Sequence, residues 1–218
     1  MSSPHHRCHW GLYLISDDAS LLDGAFPALL DAALRAGLRV AQLRGKRVDE
    51  DVLAVVGREA RRLTRLYGAA LIVNDSVELA RQLEADGVHL GQSDTAPAEA
   101  RRILGPDAVI GFSTHSRAQI EAAQNQPVDY IGVGPIFATS TKEQADPVVG
   151  PELLRWAVAH SRVPTVAIGG ITLENLDAVL ATGTPNVAVV SAISRAADPA
   201  AAMAEFLKRV AGHEHPVV

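Results

Sequence analysis

Short apolar runs recur along the chain at regular intervals. They are LYLIS from Leu12, VAQLR from Val40, ALIVN from Ala70, GVHLG from Gly87, VIGFST from Val109, YIGVG from Tyr130, PTVAIGG from Pro164 and NVAVVSAI from Asn186. Each is brief, rich in β-branched residues and bounded by turn formers, as strands buried on both faces of a parallel sheet are. Between them lie Ala-, Leu- and Arg-rich segments with apolar positions at helical spacing. FPALLDAALRAG predicts a helix that Gly37 ends, and EDVLAVVGREARRLTRLYG one that ends at Gly68. In SVELARQLEADG, Ser76 stands at the N-cap. TLENLDAVLATG predicts a helix starting at Thr172, with Glu174 and Asn175 in its first turn.

The eight strand-like runs, each followed by a helical segment, alternate strictly, which implies a parallel sheet. Eight such units in 218 residues predict a single-domain (β/α)₈ TIM barrel. A doubly wound sheet would want a glycine-rich turn after its first strand, and here that strand runs into Ser16-Asp17-Asp18. The expected layout is a flexible N-terminal tail over 1–11, the barrel over 12–210 and a C-terminal tail over 211–218.

Composition narrows the class only a little. The net charge of -5 argues against nucleic acid or a membrane as partner. A single cysteine, Cys8, allows no internal disulfide and fits a cytoplasmic enzyme. HHRCH, residues 5–9, reads as part of the tail rather than as a metal site, because no second ligand cluster matches it. No oligomeric state is read from the chain.

The chemistry gathers at the strand ends. In a barrel the C-terminal strand ends and the loops beyond them form the active-site face. After the second strand come Gln42, Arg44 and Lys46, which alternation sends to one face. After the third come Asn74 and Asp75, and after the fourth Gln92 and Asp94. The fifth ends in Ser113, Thr114 and His115, and the sixth opens into GPIFATSTK with Thr139, Thr141 and Lys142. The seventh ends in Gly169-Gly170 and the eighth in Val190-Ser191. Two carboxylates on adjacent strand ends repel unless a cation lies between them. With Arg44, Lys46 and Lys142 nearby, they fit a magnesium ion carrying a diphosphate. The small residues after the seventh and eighth strands fit a backbone-held monophosphate. Two anionic groups in one mouth suggest the substrate pair of a transferase. Asp75 and Asp94 also stand where helix caps stand, so both roles are open for each. His89, in mid-strand, reads as a packed, hydrogen-bonded barrel residue. His115 is open between catalytic and structural roles. FATSTKEQADP, beside the mouth, reads as a mobile loop able to close over substrate.

QLRGK at Gln42, ND at Asn74, DGVHLGQSD at Asp86, GFSTHS at Gly111, DYIGVGPIFATSTK at Asp129, AIGGIT at Ala167 and VAVVSAI at Val187, in that order, resemble the thiamine phosphate synthase family. The resemblance runs from about Leu12 to Leu207. It implies a (β/α)₈ barrel that couples 4-amino-5-hydroxymethyl-2-methylpyrimidine diphosphate to a thiazole phosphate, releasing diphosphate by a dissociative route. It implies that Gln42, Arg44, Lys46, Asn74, Ser113 and Lys142 hold the pyrimidine diphosphate, with Arg44, Lys46, Ser113 and Lys142 acting in catalysis. It implies that Asp75 and Asp94 bind Mg²⁺, and that Thr139, Ser140, Thr141, Gly170, Val190 and Ser191 hold the thiazole phosphate. One departure is Gly45, where the family often carries Glu. It removes a carboxylate beside the cations and is expected to loosen the loop. A thiazole tautomerase of the same barrel family, or a non-catalytic barrel binding a phosphorylated metabolite, is the alternative. The tautomerases tend to lose parts of the diphosphate and metal set, whereas this sequence keeps Gln42, Gln92, Asp94, Thr141 and Lys142, and a non-catalytic barrel has no need of paired carboxylates and cations together.

Overall fold

A computed structural model describes residues 8–139 and 147–213 of the chain. Its strands are β1 (Gly11–Ile15), β2 (Val40–Leu43), β3 (Ala70–Asn74), β4 (Gly87–Leu90), β5 (Val109–Thr114), β6 (Tyr130–Val133), β7 (Thr165–Ala167) and β8 (Asn186–Val189). Each pairs in parallel with the next, and β8 returns to β1, closing the predicted barrel. The helices are α1 (Asp18–Leu22), α2 (Phe26–Arg35), α3 (Glu50–Tyr67), α4 (Val77–Gln82), α5 (Pro97–Leu104), α6 (Arg117–Ala123), α7 (Gly150–His160), α8 (Leu176–Leu180), α9 (Ser191–Ser194) and α10 (Pro199–Ala211). Among the described residues no helix is long and apolar enough to cross a membrane.

Local signals act largely as read. α3 ends on Gly68 in the left-handed conformation, φ 67°. Ser76 caps α4 by accepting from the Leu79 N–H at 3.1 Å. The last predicted helix starts later than expected, at Leu176. Asn175 is the cause. Its side chain accepts from the Thr172 N–H at 2.9 Å and donates to the Gly170 carbonyl at 2.9 Å, so it fastens the loop after β7 instead of extending the helix.

Strand alternation produces two cores. Positions such as Ala41, Leu43, Leu71 and Val73 point outward and pack against the helices in the larger core. Tyr13, Ile15, Val40, Ile72, Tyr130, Val166 and Ala188 point inward and fill the barrel. Because side chains repeat every second residue, the inner row continues upward from Val40 to Gln42 and from Ile72 to Asn74.

The base of the barrel corrects the boundary of the expected tail. Cys8 and Trp10 are buried, and Trp10 meets Tyr13 and Tyr130 edge-on, with centroids 5.5 and 5.3 Å apart. Buried Asn186 accepts from the Trp10 N–H at 2.7 Å and donates to the Cys8 carbonyl at 2.8 Å. The chain is therefore built into the barrel from residue 8, because an indole that plugs the apolar base is worth more buried than solvated. His5 and His6 lie outside the described residues. Among those described, no group of three or more His, Cys, Asp or Glu side chains is placed to hold a metal.

Two carboxylates bind the base together. Asp86, just before β4, accepts from the Leu71 N–H at 2.7 Å and from Arg61 at 2.6 Å. Asp129, just before β6, accepts from the Ile110 N–H at 2.7 Å and from Arg101 at 2.6 Å. Arg101 also donates to the carbonyls of Gly105, Pro106, Ala108 and Pro127.

Candidate active site

At the opposite end the barrel opens into a cavity of about 460 Å³. The end of β2 enters it through a pinned loop. Ser16 and Arg44 exchange hydrogen bonds, the Arg44 N–H donating to Ser16 Oγ at 2.8 Å and that hydroxyl donating to the Arg44 carbonyl at 3.0 Å. The Lys46 N–H donates to Asp18 at 2.7 Å. Between them Gly45 is closely packed: a Cβ there would stand 2.9 Å from the terminal methyls of Leu21 and Leu53 and 3.0 Å from Val48 Cβ, so these side chains would have to shift. The expected loosening at Gly45 is thus countered by packing and by Ser16 and Asp18.

Asp75 carries the strongest local signal. It has φ 63°, a conformation that costs non-glycine residues energy and persists where surrounding structure enforces it. The cap of α4 is Ser76, so Asp75 is not spent on capping. Its carboxylate forms an ion pair with Lys46, and the Asp94 carboxylate is near enough to influence its charge. Burial pushes the Asp75 carboxyl above its ordinary range. The Lys46 ammonium opposes that shift and Asp94 adds to it. Asp94 is no cap either: α5 starts from Ala96 with Pro97 in its first turn, and Asp94 instead accepts from the Gly91 N–H at 2.7 Å. Both capping readings therefore give way to a pair of carboxylates facing the mouth. Among the described residues the Arg44 guanidinium, at the same mouth, forms no ion pair.

The far rim is made of backbone. Gly169 and Gly170 have φ 99° and 64°. A Cβ on Gly169 would fall 2.5 Å from Pro135 Cα, and one on Gly170 2.4 Å from the Ala138 carbonyl oxygen. Only glycine lets the loops after β6 and β7 come so close. Beside them Val190 leads into α9. Asp17, at the end of β1, holds that short helix by accepting from Ser194 Oγ at 2.8 Å, with Arg195 3.7 Å away. Burial pushes the Asp17 carboxyl up, but hydrogen bonds from Ser20 and Ser194 and the Arg195 charge outweigh it and hold it below its usual range.

Of the residues expected from sequence, Gln42, Arg44, Lys46, Asn74, Asp75, Asp94, Ser113, Thr139, Gly170, Val190 and Ser191 all line this one cavity. Ser140, Thr141 and Lys142, with most of the loop expected to be mobile, lie outside the described residues. Sequence reasoning missed Tyr13 and Tyr130. His89 is packed and hydrogen-bonded as read, through Tyr130 and Ser113. His115 donates from Nδ1 to the Gly134 carbonyl at 2.6 Å, and its N–H donates to the Gln119 side chain.

The sequence model of the thiamine monophosphate synthase family matches residues 12–193. The chain belongs to that family. A thiamine phosphate pyrophosphorylase from Pyrococcus furiosus superposes with a TM-score of 0.85 at 34% identity, covering 96% of this chain and all of the other. A thiamine-phosphate synthase from Laribacter hongkongensis is 42% identical over 94% of this chain and 96% of its own length. One from Thermosynechococcus vestitus is 44% identical over 85% of this chain. The match spans only 53% of that longer relative, so the chain covers about half its length.

Proposed function

We propose that the protein is a thiamine phosphate synthase, a transferase that joins 4-amino-5-hydroxymethyl-2-methylpyrimidine diphosphate to a thiazole phosphate, giving thiamine phosphate and diphosphate. The observation that carries this reading is one cavity with two unlike anion-binding ends. The Asp75–Asp94 pair stands with Arg44 and Lys46 at one end, and the glycine backbone of Gly169-Gly170 with Val190-Ser191 stands at the other.

The charged end suits Mg²⁺. Two adjacent carboxylates, one raised in pKa by burial and by its neighbour, are the donors magnesium takes together with phosphate oxygens and water. Asp75 and Asp94 would hold the ion, and it would supply charge neutralisation to the departing diphosphate. Arg44 and Lys46 add fixed positive charge where negative charge develops, and Lys142 is assigned the same role. Gln42, Asn74 and Ser113 orient the pyrimidine. The bond from the methylene carbon to the diphosphate oxygen breaks first, and both its electrons leave with the diphosphate. The thiazole nitrogen then donates its lone pair to the pyrimidine methyl cation. Ile15, Val166 and Ile168 give the cavity apolar walls that keep water from that cation. The glycine rim and Ser191, with Thr139, Ser140 and Thr141, hold the thiazole phosphate within reach of attack. The single buried thiol fits a cytoplasmic setting.

The test is a coupling assay on the purified full chain with both substrates, with Mg²⁺ and then with chelator, reading thiamine phosphate as fluorescent thiochrome. Product only with metal is the expected result. No product from folded protein with metal present would contradict the reading.

A further inference from the structure

Five side chains from five strands form one hydrogen-bonded line across the barrel. Gln42 Nε2 donates to the Tyr13 hydroxyl at 2.9 Å, and the Tyr13 and Tyr130 hydroxyls lie 3.0 Å apart. The Tyr130 hydroxyl is 2.9 Å from His89 Nδ1, and His89 Nε2 is 2.9 Å from Ser113 Oγ. Gln42 and Ser113, the two ends, both line the cavity. The sequence reserves space for the middle of the line. A Cβ on Gly111 would fall 2.1 Å from the Tyr130 ring and 2.5 Å from His89 Nδ1, and one on Gly132 3.2 Å from the His89 ring. The Tyr130 and His89 rings also stack, with centroids 5.4 Å apart.

Proton counting gives the line a direction. With Gln42 donating to Tyr13, the Tyr13 proton goes to Tyr130 and the Tyr130 proton to His89 Nδ1. His89 then carries its proton on Nε2 and gives it to Ser113. Every proton inside the line is used. What remains at the ends is the Gln42 carboxamide oxygen with its second N–H, and the Ser113 hydroxyl proton. Reversing every bond leaves both Gln42 N–H groups and a Ser113 lone pair instead.

We infer that Tyr13, Tyr130 and His89 are positioning residues that hold the Gln42 carboxamide and the Ser113 hydroxyl in place as hydrogen-bonding partners for an aminopyrimidine edge. That edge offers an exocyclic N–H and a ring nitrogen side by side. The inference rests on the proposed coupling reaction.

Tyr130→Phe breaks the line without emptying the barrel. On the full chain, calorimetry should show the aminopyrimidine diphosphate binding about tenfold more weakly to Tyr130→Phe and Tyr13→Phe. Inorganic diphosphate with Mg²⁺ should bind each variant as it binds the parent. Equal loss of both ligands, or loss of neither, in folded variants would overturn the relay. A parent that binds inorganic diphosphate but not the aminopyrimidine diphosphate would refute the proposed function instead.

Discussion

The barrel carries two pairs of aspartates at its two ends, and they are put to opposite uses. Asp86 and Asp129, at the base, each accept one backbone N–H and one guanidinium, so their charge is matched by donors that fold with them. Asp75 and Asp94, at the mouth, face each other with a single lysine ammonium as ion-pair partner among the described residues, and Asp75 sits in a left-handed conformation. All four flank strands and are the same residue type. The end of the strand at which each falls decides whether donors of the protein match it or, in the proposed function, a ligand does.

The largest test of that contrast removes a mouth carboxylate. Asp94→Ala should lower metal-dependent turnover by more than about a hundredfold, because it takes away a donor to the ion, while the melting midpoint hardly moves. Parent-like activity would remove Asp94 from the metal site. Asp129→Ala should do the reverse. It strips the charge-assisted partner from Arg101 and the Ile110 N–H, costing about 2 kcal/mol in urea unfolding, with turnover of the folded protein unchanged. Gly170→Ala forces a side chain onto φ 64° and against the Ala138 carbonyl. It should raise KM for the thiazole phosphate about tenfold, roughly 1.4 kcal/mol, and leave diphosphate binding intact.

How far the site could be read from sequence follows from the same contrast. Charged residues beyond strand ends announce themselves, because alternation and barrel direction place Gln42, Arg44, Asn74 and Asp94 before any coordinates exist. The cap question for Asp75 could not be decided from spacing. It turned on φ and on Ser76 taking the cap, both set by tertiary contacts. Tyr13 and Tyr130 went unread, because their hydroxyls find each other across 117 residues of chain. The expected start of α8 failed because an asparagine can fasten a loop as readily as begin a helix. The tail boundary failed because nothing local says that Trp10 plugs a barrel.

Two smaller effects sharpen the picture through pH. The folded Asp75 carboxyl titrates above its unfolded range, so as pH rises through that window the unfolded chain ionises first and stability falls. Above the window the penalty is fully present. Asp75→Asn keeps a residue that tolerates left-handed backbone. Its melting midpoint should lie slightly above the parent's at neutral pH, the gap closing as pH is lowered toward 4, although metal-dependent turnover is lost. A midpoint below the parent's would show that the Lys46 pair outweighs the burial. His89, driven by burial from 6.5 to about 4, works in the other direction. Its contribution is complete above pH 6.5 and is lost as pH falls toward 4, because the unfolded histidine takes up its proton first. The melting profile of His89→Gln should lack that part of the acid slope. An identical slope would mean that other groups produce it.

The most direct measurement is a calorimetric titration of the full chain with each anion separately, inorganic diphosphate and thiazole phosphate, with and without Mg²⁺, in the parent and in Asp94→Ala. The two-ended mouth predicts that diphosphate binds the parent only with metal and fails to bind Asp94→Ala, while thiazole phosphate binds under every condition. Diphosphate binding of equal strength without metal, or in Asp94→Ala, would contradict the account.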